Sequence, residues 1–424
     1  MRSSEPILIR NITIVDSEVI KTNTSVCIED SIIENIGGEC SKTGIVIDGK
    51  GGIVTPPFYI AHIHSGLYPV SRITGQWTHL DEWASNIAWR WEPRLTPTDS
   101  YYSAILALYD YIRQGVAGIA DMHFNMDSVA RAVELSGIRA NLSVAIMNRG
   151  FYDDEWKALE DNLRLHSSWN NRDGRIKVSL GPCTIRFVSR SLLEEISRIR
   201  STENIGVHMH VGEVWEDEEH SLRNYGVKAI RFLEKLGLLG RDTIIAHGVW
   251  LDDTELTILA KYKSILAHNP TTNMLLGSGI ARTRRMLQLG VKLALGLDIS
   301  PTQNIVNEAL NAIAVSRLIG EPISPKDVFD MLTLYGSGIT GVKRIGLIRR
   351  GYVADVLLWA RSAKPRTNIY EDLLLGAYKP HTLIVNGKIV MESMEVKTIS
   401  KHLLSKALKH LEEKVQQLLD ELYG

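Results

Sequence analysis

The stretch "VTPPFYIAHIHSG" closes an apolar run, breaks it with two prolines, and sets His62 and His64 one residue apart. In an extended chain, side chains two apart lie on one face, so both imidazoles point the same way. Further along, "HMHVGE" carries His208, His210 and Glu213, "TIIAHG" carries His247, and "VKLALGLD" ends in Asp298. Imidazole nitrogen and carboxylate oxygen are the donors of a catalytic zinc site, which keeps one position open for water. Ligand type alone also admits iron or manganese. One such divalent ion would lower the pKa of a water molecule towards ~7 and supply a nucleophile at neutral pH. Glu213, three residues beyond His210, is placed to shuttle a proton.

These residues need elements that bring them together. Eight short apolar runs, "GGIVTPPFYIAHIH", "GVAGIADMHF", "RANLSVAIM", "RIKVSLGP", "IGVHMH", "TIIAHG", "SILAHNP" and "VKLALGLD", recur along the chain, most of them separated by helical stretches. The stretch "LTPTDSYYSAILALYDYIRQG" opens with Thr96 as N-cap, Pro97 at the first helical position and Asp99 near the positive end. Ser324, Pro325 and Asp327 repeat that arrangement. Eight strand–helix alternations predict an α/β fold, a parallel sheet closed as a (β/α)8 TIM-like barrel. In such a barrel the loops after the strands form the active face, and four of the eight runs end in metal-competent side chains.

Before and after the barrel the pattern is different. The start, "ILIRNITIVDSEVIKTNTSVCIEDSIIENIG", is rich in Ile, Val and Thr with polar turns, and "GYVADVLLWA" and "HTLIVNGKIVMES" repeat the character late in the chain. Asn386-Gly387 is a hairpin signal. The expected organisation is therefore residues 1–54 and 345–400 as two parts of a small β-sandwich, 55–344 as the barrel, and 401–424 as a terminal amphipathic helix. Leu404, Leu408, Leu411, Val415, Leu418 and Leu422 form one apolar stripe on that helix. Packing on its own chain is the stronger reading, because the heptad run is short for a dimer seam; a homo-oligomer stays open.

The bulk composition excludes several partners. A formal net charge of -1 over 424 residues provides no global field for nucleic acid or an anionic membrane. The start "MRSSEPILIR" lacks a signal-peptide core, and no run is long enough to span a bilayer. Cys27, Cys40 and Cys183 stand too far apart for a disulfide framework or a CxxC knuckle, which fits a reducing, cytoplasmic setting.

Taken together, "HIH" after a proline-containing strand, "HMHVGE", "AHGVWL", "AHNPTTNMLLGSGIA" and "LGLD" resemble the amidohydrolase superfamily. They are most similar to its aminohydrolase branch, which holds deaminases of adenosine derivatives, guanine and cytosine, and triazine hydrolases. The resemblance extends over nearly the whole chain, including "ADMHF", "GRIKVSLGP" and "RRGYVADVLL". It implies His62, His64, His210 and Asp298 as metal ligands, Glu213 as the catalytic acid, and His247 as the residue that orients the attacking water. His268 matches a recurrent histidine after the seventh strand. His208 falls outside the H-x-x-E pattern and takes a structural reading. The fourth strand ends "LGPCT", with Lys177 near its start rather than its end, which favours one metal over a lysine-bridged pair.

The implied substrate is a small N-heterocycle, a purine nucleoside foremost. Glu92 resembles the glutamate that contacts ribose hydroxyls; a plain loop carboxylate is the other reading. Trp77, Trp83, Trp89 and Trp91, four of the nine tryptophans, either wall an aromatic pocket or pack a lid without touching substrate. Arg139 resembles a position that meets a substrate carboxylate, with an ordinary salt bridge as the alternative. Three departures retune the pocket: Cys183 and Thr184 follow the fourth-strand Gly-Pro, Leu275 replaces a lysine, and Leu297 and Ile299 flank Asp298. Two alternatives stand beside the nucleoside reading: another leaving group, such as chloride or an alkylamine from a triazine, or a barrel that binds without catalysis. The intact set of ligands and Glu213 opposes the latter.

Overall fold

A computed structural model describes residues 5–42, 44–68, 79–364 and 368–423. Eight strands correspond to the eight apolar runs: β5 (Phe58–Ile63), β6 (Val116–His123), β7 (Arg139–Val144), β8 (Ile176–Val178), β9 (Val207–Val211), β10 (Thr243–His247), β11 (Ile265–His268) and β12 (Lys292–Leu295). They pair in parallel as two four-stranded sheets, β5-β6-β7-β8 and β9-β10-β11-β12, in chain order. Parallel bridges span both seams, Leu180 to Val207 on one side and Ile63 to Asp298 on the other. At the second seam the Leu297 and Asp298 amides both donate to the His62 carbonyl, at 3.0 and 3.1 Å. Every residue of β5, β6, β7, β9, β10 and β11 is buried, as expected of parallel strands covered on both faces.

The chain ends meet in a second sheet. β1 (Ile7–Val15), β2 (Ile20–Glu29), β3 (Ile32–Ile36) and β4 (Ile45–Thr55) join β13 (Val356–Arg361), β14 (Tyr378–Val385), β15 (Lys388–Glu392) and β16 (Glu395–Val396). They hydrogen-bond into one eight-stranded sheet ordered β16-β15-β14-β13-β4-β1-β2-β3. Its own core holds Ile9, Ile12, Val26, Ile33, Val54, Val356 and Ile384. Asn386 and Gly387 turn β14 into β15 with both φ angles positive, 52° and 73°, the conformation an Asn-Gly hairpin demands.

Local signals at helix starts hold. Thr96 and Asp99 form a reciprocal capping box on the helix Pro97–Arg113, and Ser324 and Asp327 do the same on Pro325–Leu332. The terminal helix Lys401–Tyr423 packs on its own chain, along the helix Pro97–Arg113, where His410 Nε2 lies 2.6 Å from Asp99 Oδ1. Leu411 and Leu418 are buried there while Leu408 stays exposed. No helix among the described residues is long and apolar enough to cross a membrane.

The cysteines require a correction. Cys27 and Cys40 form a disulfide, although they stand 13 positions apart in sequence. Cys27 sits on β2, and the β2–β3 hairpin carries the chain back so that Cys40 returns beside it. Wide spacing was therefore no bar, and the argument from cysteine spacing to a reducing compartment falls with it.

Candidate active site

Strand ends of the two parallel sheets bring six side chains together. β5 delivers His62 and His64, β9 delivers His210 with Glu213 just beyond, β10 ends in His247, and Asp298 follows β12. His64 Nε2 lies 3.2 Å from Asp298 Oδ1 and 3.4 Å from His210 Nε2. His62 Nε2 is 3.7 Å from the same Asp298 oxygen. His247 Nε2 lies 3.4 Å from Glu213 Oε2 and 3.7 Å from Asp298 Oδ2. Potential donor atoms of His62, His64 and His210, and of His62, His247 and Asp298, all fall within 4.8 Å of one another in each trio.

Two of the six residues hold backbone conformations that side chains rarely adopt. His247 has φ 76° and Asp298 has φ 49°. Such positions concentrate at functional sites, where surrounding structure maintains them. Gly296 is required by contact: a Cβ there would come within 2.1 Å of Asn269 Oδ1 and 3.0 Å of His62 Cβ.

The donor set fits a divalent cation. The outer nitrogens of the histidines are already engaged: His64 Nδ1 faces the Met122 carbonyl, His210 Nδ1 the Cys183 carbonyl at 2.8 Å, and His62 Nδ1 faces His208 Nε2 at 2.8 Å. The inner nitrogens of His62 and His247 are buried without a hydrogen-bond partner among the described residues. Buried polar atoms left in this state are unusual and call for a ligand. Burial would push the Asp298 carboxyl up, but His64, His247 and His210 outweigh this and hold it below the usual carboxylate range. Burial likewise acts to lower His64, yet the Asp298 carboxylate holds it up at about 9. His62 and His210 are pushed down, first by burial and then by the neighbouring imidazoles, His210 to about 3.

Glu213 is held from behind. Its amide donates to Asp217 Oδ2 at 3.0 Å, and Asp217 is gripped by Arg186 at 2.8 Å. Burial raises the Glu213 carboxyl to about 7, against the pull of His247. A group poised there can both take and give a proton at neutral pH. His247 is oriented by Asn273, whose Oδ1 lies 2.8 Å from Nδ1.

A pocket opens over this cluster. His64, His210, Glu213, His247 and Asp298 form part of its lining, with Trp83, Trp89, Met147, Cys183, Leu276 and Ile299 among the apolar lining residues. Glu92 joins the wall, buried, its Oε2 without a partner among the described residues, and burial raises it to about 7. Trp91 is fully buried and does not line the pocket, and Trp77 lies outside the described residues.

Two expected residues are placed elsewhere. Arg139 starts β7, at the opposite end of that strand from the site, and makes a two-pronged ion pair with Asp355 at 2.7 and 2.9 Å. It is corrected from substrate contact to buried structural pair, since its guanidinium is fully occupied by Asp355, Gly174 and Asn386. His268 ends β11 but is absent from the pocket lining; Asn269 reaches towards His247 instead, at 3.4 Å. Several residues escaped the sequence reading. Asn273 lies within the quoted "HNPTTN", and Asp217 follows Glu213 by four residues, so both had a positional signal. His123 ends β6 within the motif "ADMHF" and had one too, whereas Arg186 and Arg149 had none. His123 Nε2 lies 3.9 Å from Glu92 Oε1, and the Arg149 guanidinium stands over the rings of Trp89 and Phe187 at 5.6 and 5.3 Å.

Comparison with known proteins agrees with this geometry. The amidohydrolase family matches residues 53–390. The chain is 33% identical over 407 residues to a 5-methylthioadenosine/S-adenosylhomocysteine deaminase of Dictyoglomus thermophilum, covering 93% of this chain and 95% of that one. It is 30% identical over 406 residues to a 5'-deoxyadenosine deaminase of Methanobrevibacter smithii, covering 92% and 93%. Its fold is that of an adenosine deaminase from Xanthomonas campestris solved with bound zinc, with TM-score 0.90 at 19% identity over 97% of this chain and 98% of the other. Extent of match, identity and fold agree: this chain is a hydrolase belonging to the amidohydrolase family.

Proposed function

We propose that this protein is a metal-dependent aminohydrolase that removes the exocyclic amine of an adenosine derivative, foremost one modified at its 5' end. The observation that carries the reading is the meeting of Glu213 and Asp298 on His247 Nε2, at 3.4 and 3.7 Å, beside three histidines inside one largely apolar pocket. His62, His64, His210 and Asp298 would hold one divalent ion, zinc foremost, with iron or manganese compatible with the same donors. That ion supplies Lewis acidity, which makes a water molecule nucleophilic at neutral pH.

The chain's own groups do the rest. Glu213 takes a proton from the attacking water and passes it to the ring nitrogen beside the carbon under attack. His247, held by Asn273, hydrogen-bonds the water and sets its direction. Asp298 accepts the proton of the new hydroxyl, and that proton passes on to the departing amine as the C–N bond breaks and ammonia leaves. Glu92, buried with its Oε2 unpartnered among the described residues, suits the hydroxyls of a ribose, and Trp89, Met147 and Cys183 suit an uncharged base and 5' substituent. The activities for which the Dictyoglomus and Methanobrevibacter deaminases are named support the same class. We read residues 55–344 as the catalytic (β/α)8 barrel, 1–54 with 345–400 as the β-sandwich and 401–424 as an appended helix; the two bridged seams support the closed ring.

The test is ammonia release by zinc-loaded protein from 5'-deoxyadenosine, methylthioadenosine, S-adenosylhomocysteine, adenosine, guanine, cytosine and a chlorotriazine. Turnover confined to the adenosine group is expected. Preference for a free base or the triazine, or no turnover with metal bound, overturns the substrate assignment.

A further inference from the structure

The outer nitrogens of the three histidines are secured in two different ways. His64 Nδ1 and His210 Nδ1 face backbone carbonyls, of Met122 and Cys183. A carbonyl only accepts, so each Nδ1 carries a proton and each Nε2 is the nitrogen left for a ligand. His62 is different: its Nδ1 lies 2.8 Å from Nε2 of His208, an atom that accepts in one tautomer and donates in the other. The tautomer of His62 is therefore settled by whatever settles His208.

The chain of contacts continues until it reaches a group with no choice. His208 Nδ1 is 3.4 Å from Ser143 Oγ, and Ser143 Oγ is 3.4 Å from the backbone carbonyl oxygen of Asp121. His62, His208 and Ser143 are all fully buried, so water does not compete for these atoms. The polarity follows from the far end. The Asp121 carbonyl must accept, so the Ser143 hydroxyl donates to it and accepts from His208 Nδ1–H. His208 Nε2 is then bare and accepts from His62 Nδ1–H, which leaves the His62 Nε2 lone pair facing the cluster. The path runs from β5 to β9 and on to β7 and β6, so one ligand is aligned through three other strands.

We propose that His208 is a positioning residue that sets the tautomer and orientation of His62, through a proton-ordered chain ending on the Asp121 carbonyl, and thereby sets the affinity of the site for a divalent cation. This rests on the reading of His62 as a ligand given above. Loss of such outer partners costs metal sites roughly 10- to 100-fold in affinity.

The experiment measures zinc affinity by chelator competition, with the thermal unfolding of the metal-free protein alongside, for the wild type, His208→Leu, His208→Gln and Ser143→Ala. Leu removes the acceptor; the Gln side-chain oxygen restores one. The expected result is a loss of about 10- to 100-fold for the Leu variant, most of it recovered by Gln, with a smaller loss for Ser143→Ala. A packing role alone would lower the melting temperature of both His208 variants and leave zinc affinity unmoved, which overturns the proposal; so does a Gln variant no better than Leu. Should the Leu variant fail to fold, imidazole 15N shifts of the metal-free wild type decide: His62 protonated at Nδ1 supports the chain, and protonation at Nε2 refutes it. Absence of zinc binding by the wild type would instead sink the metal reading itself, which keeps the two failures distinct.

Discussion

In the proposed metal site, a cation has to displace a proton from between His64 and Asp298. His64 is held up at about 9 by the carboxylate 3.2 Å away, against the effect of burial, so in the metal-free protein it is charged at pH 7. A ligating imidazole must be neutral, and metal binding therefore expels that proton. Zinc affinity should rise about tenfold per pH unit from 7 to about 9 and then level; calorimetry in buffers of different ionisation enthalpy would count the proton released. A flat profile would mean that His64 is not displaced from Asp298. Glu213 must also shed a proton to work. Its carboxyl, raised to about 7 by burial, must be ionised to take the water's proton, so kcat/KM should fall on the acid side, at or below pH 7 because a bound cation favours the carboxylate. Glu213→Gln should keep the metal, lose that limb and lower kcat by roughly 10²- to 10⁴-fold. Retention of wild-type turnover would remove Glu213 from the mechanism.

At the scale of elements, the pocket wall depends on a helix that follows all the strands. Leu418 of the terminal helix is buried in a cluster with Trp83, Trp91, Leu95, Leu276 and Ile299. Trp83, Leu276 and Ile299 also line the pocket. Leu418→Ala should cost about 2–5 kcal/mol by chemical denaturation, the usual range for emptying a packed leucine site. It should also raise KM more than it lowers kcat, because it loosens a wall and leaves the reacting groups alone. An unchanged KM would confine the helix to a stability role. The helix and its apolar stripe were legible from spacing, since periodicity is a local property. Its landing place was not, because the stripe is equally content against any apolar surface. The capping boxes at Thr96 and Ser324 were legible for the same local reason.

Across the whole molecule, one buried ion pair joins the parallel strands to the sheet made by the chain ends. Arg139 on β7 pairs with Asp355 just before β13, which also accepts from the Tyr59 hydroxyl at 2.8 Å and from the Asn386 amide at 2.8 Å. Arg139→Leu would leave the Asp355 carboxylate buried without its countercharge, an event that costs about 3–5 kcal/mol. Denaturant melts should show that loss, while kcat/KM of the folded protein stays at the wild-type value. A selective fall in kcat/KM with stability preserved would restore a substrate role to Arg139. Buried acids give the metal-free protein a pH signature as well. Glu308 is raised to about 8, first by burial, and so binds its proton more tightly folded than unfolded. Its contribution is complete below the unfolded value near 4.5 and is lost as pH rises through about 8. Thermal melts of Glu308→Gln should accordingly fall less between pH 6 and 9 than those of the wild type, and parallel curves would dismiss the assignment.

By itself the sequence determined which residue types could meet. The parallel strands end where their apolar runs end, and a histidine or aspartate at or just beyond such an end is carried to the same face by the regularity of the alternation. His62, His64, His210, Glu213, His247 and Asp298 were legible on that basis, because position along a strand is written locally. Tertiary structure alone decided what stands around them. Arg139 faces Asp355 across 216 positions, His62 finds His208 across 146, and Cys27 meets Cys40 around a hairpin. Pairings of that kind depend on how strands are ordered in space and on which polar atom lacks water, and neither quantity is carried by the spacing of residues along a chain.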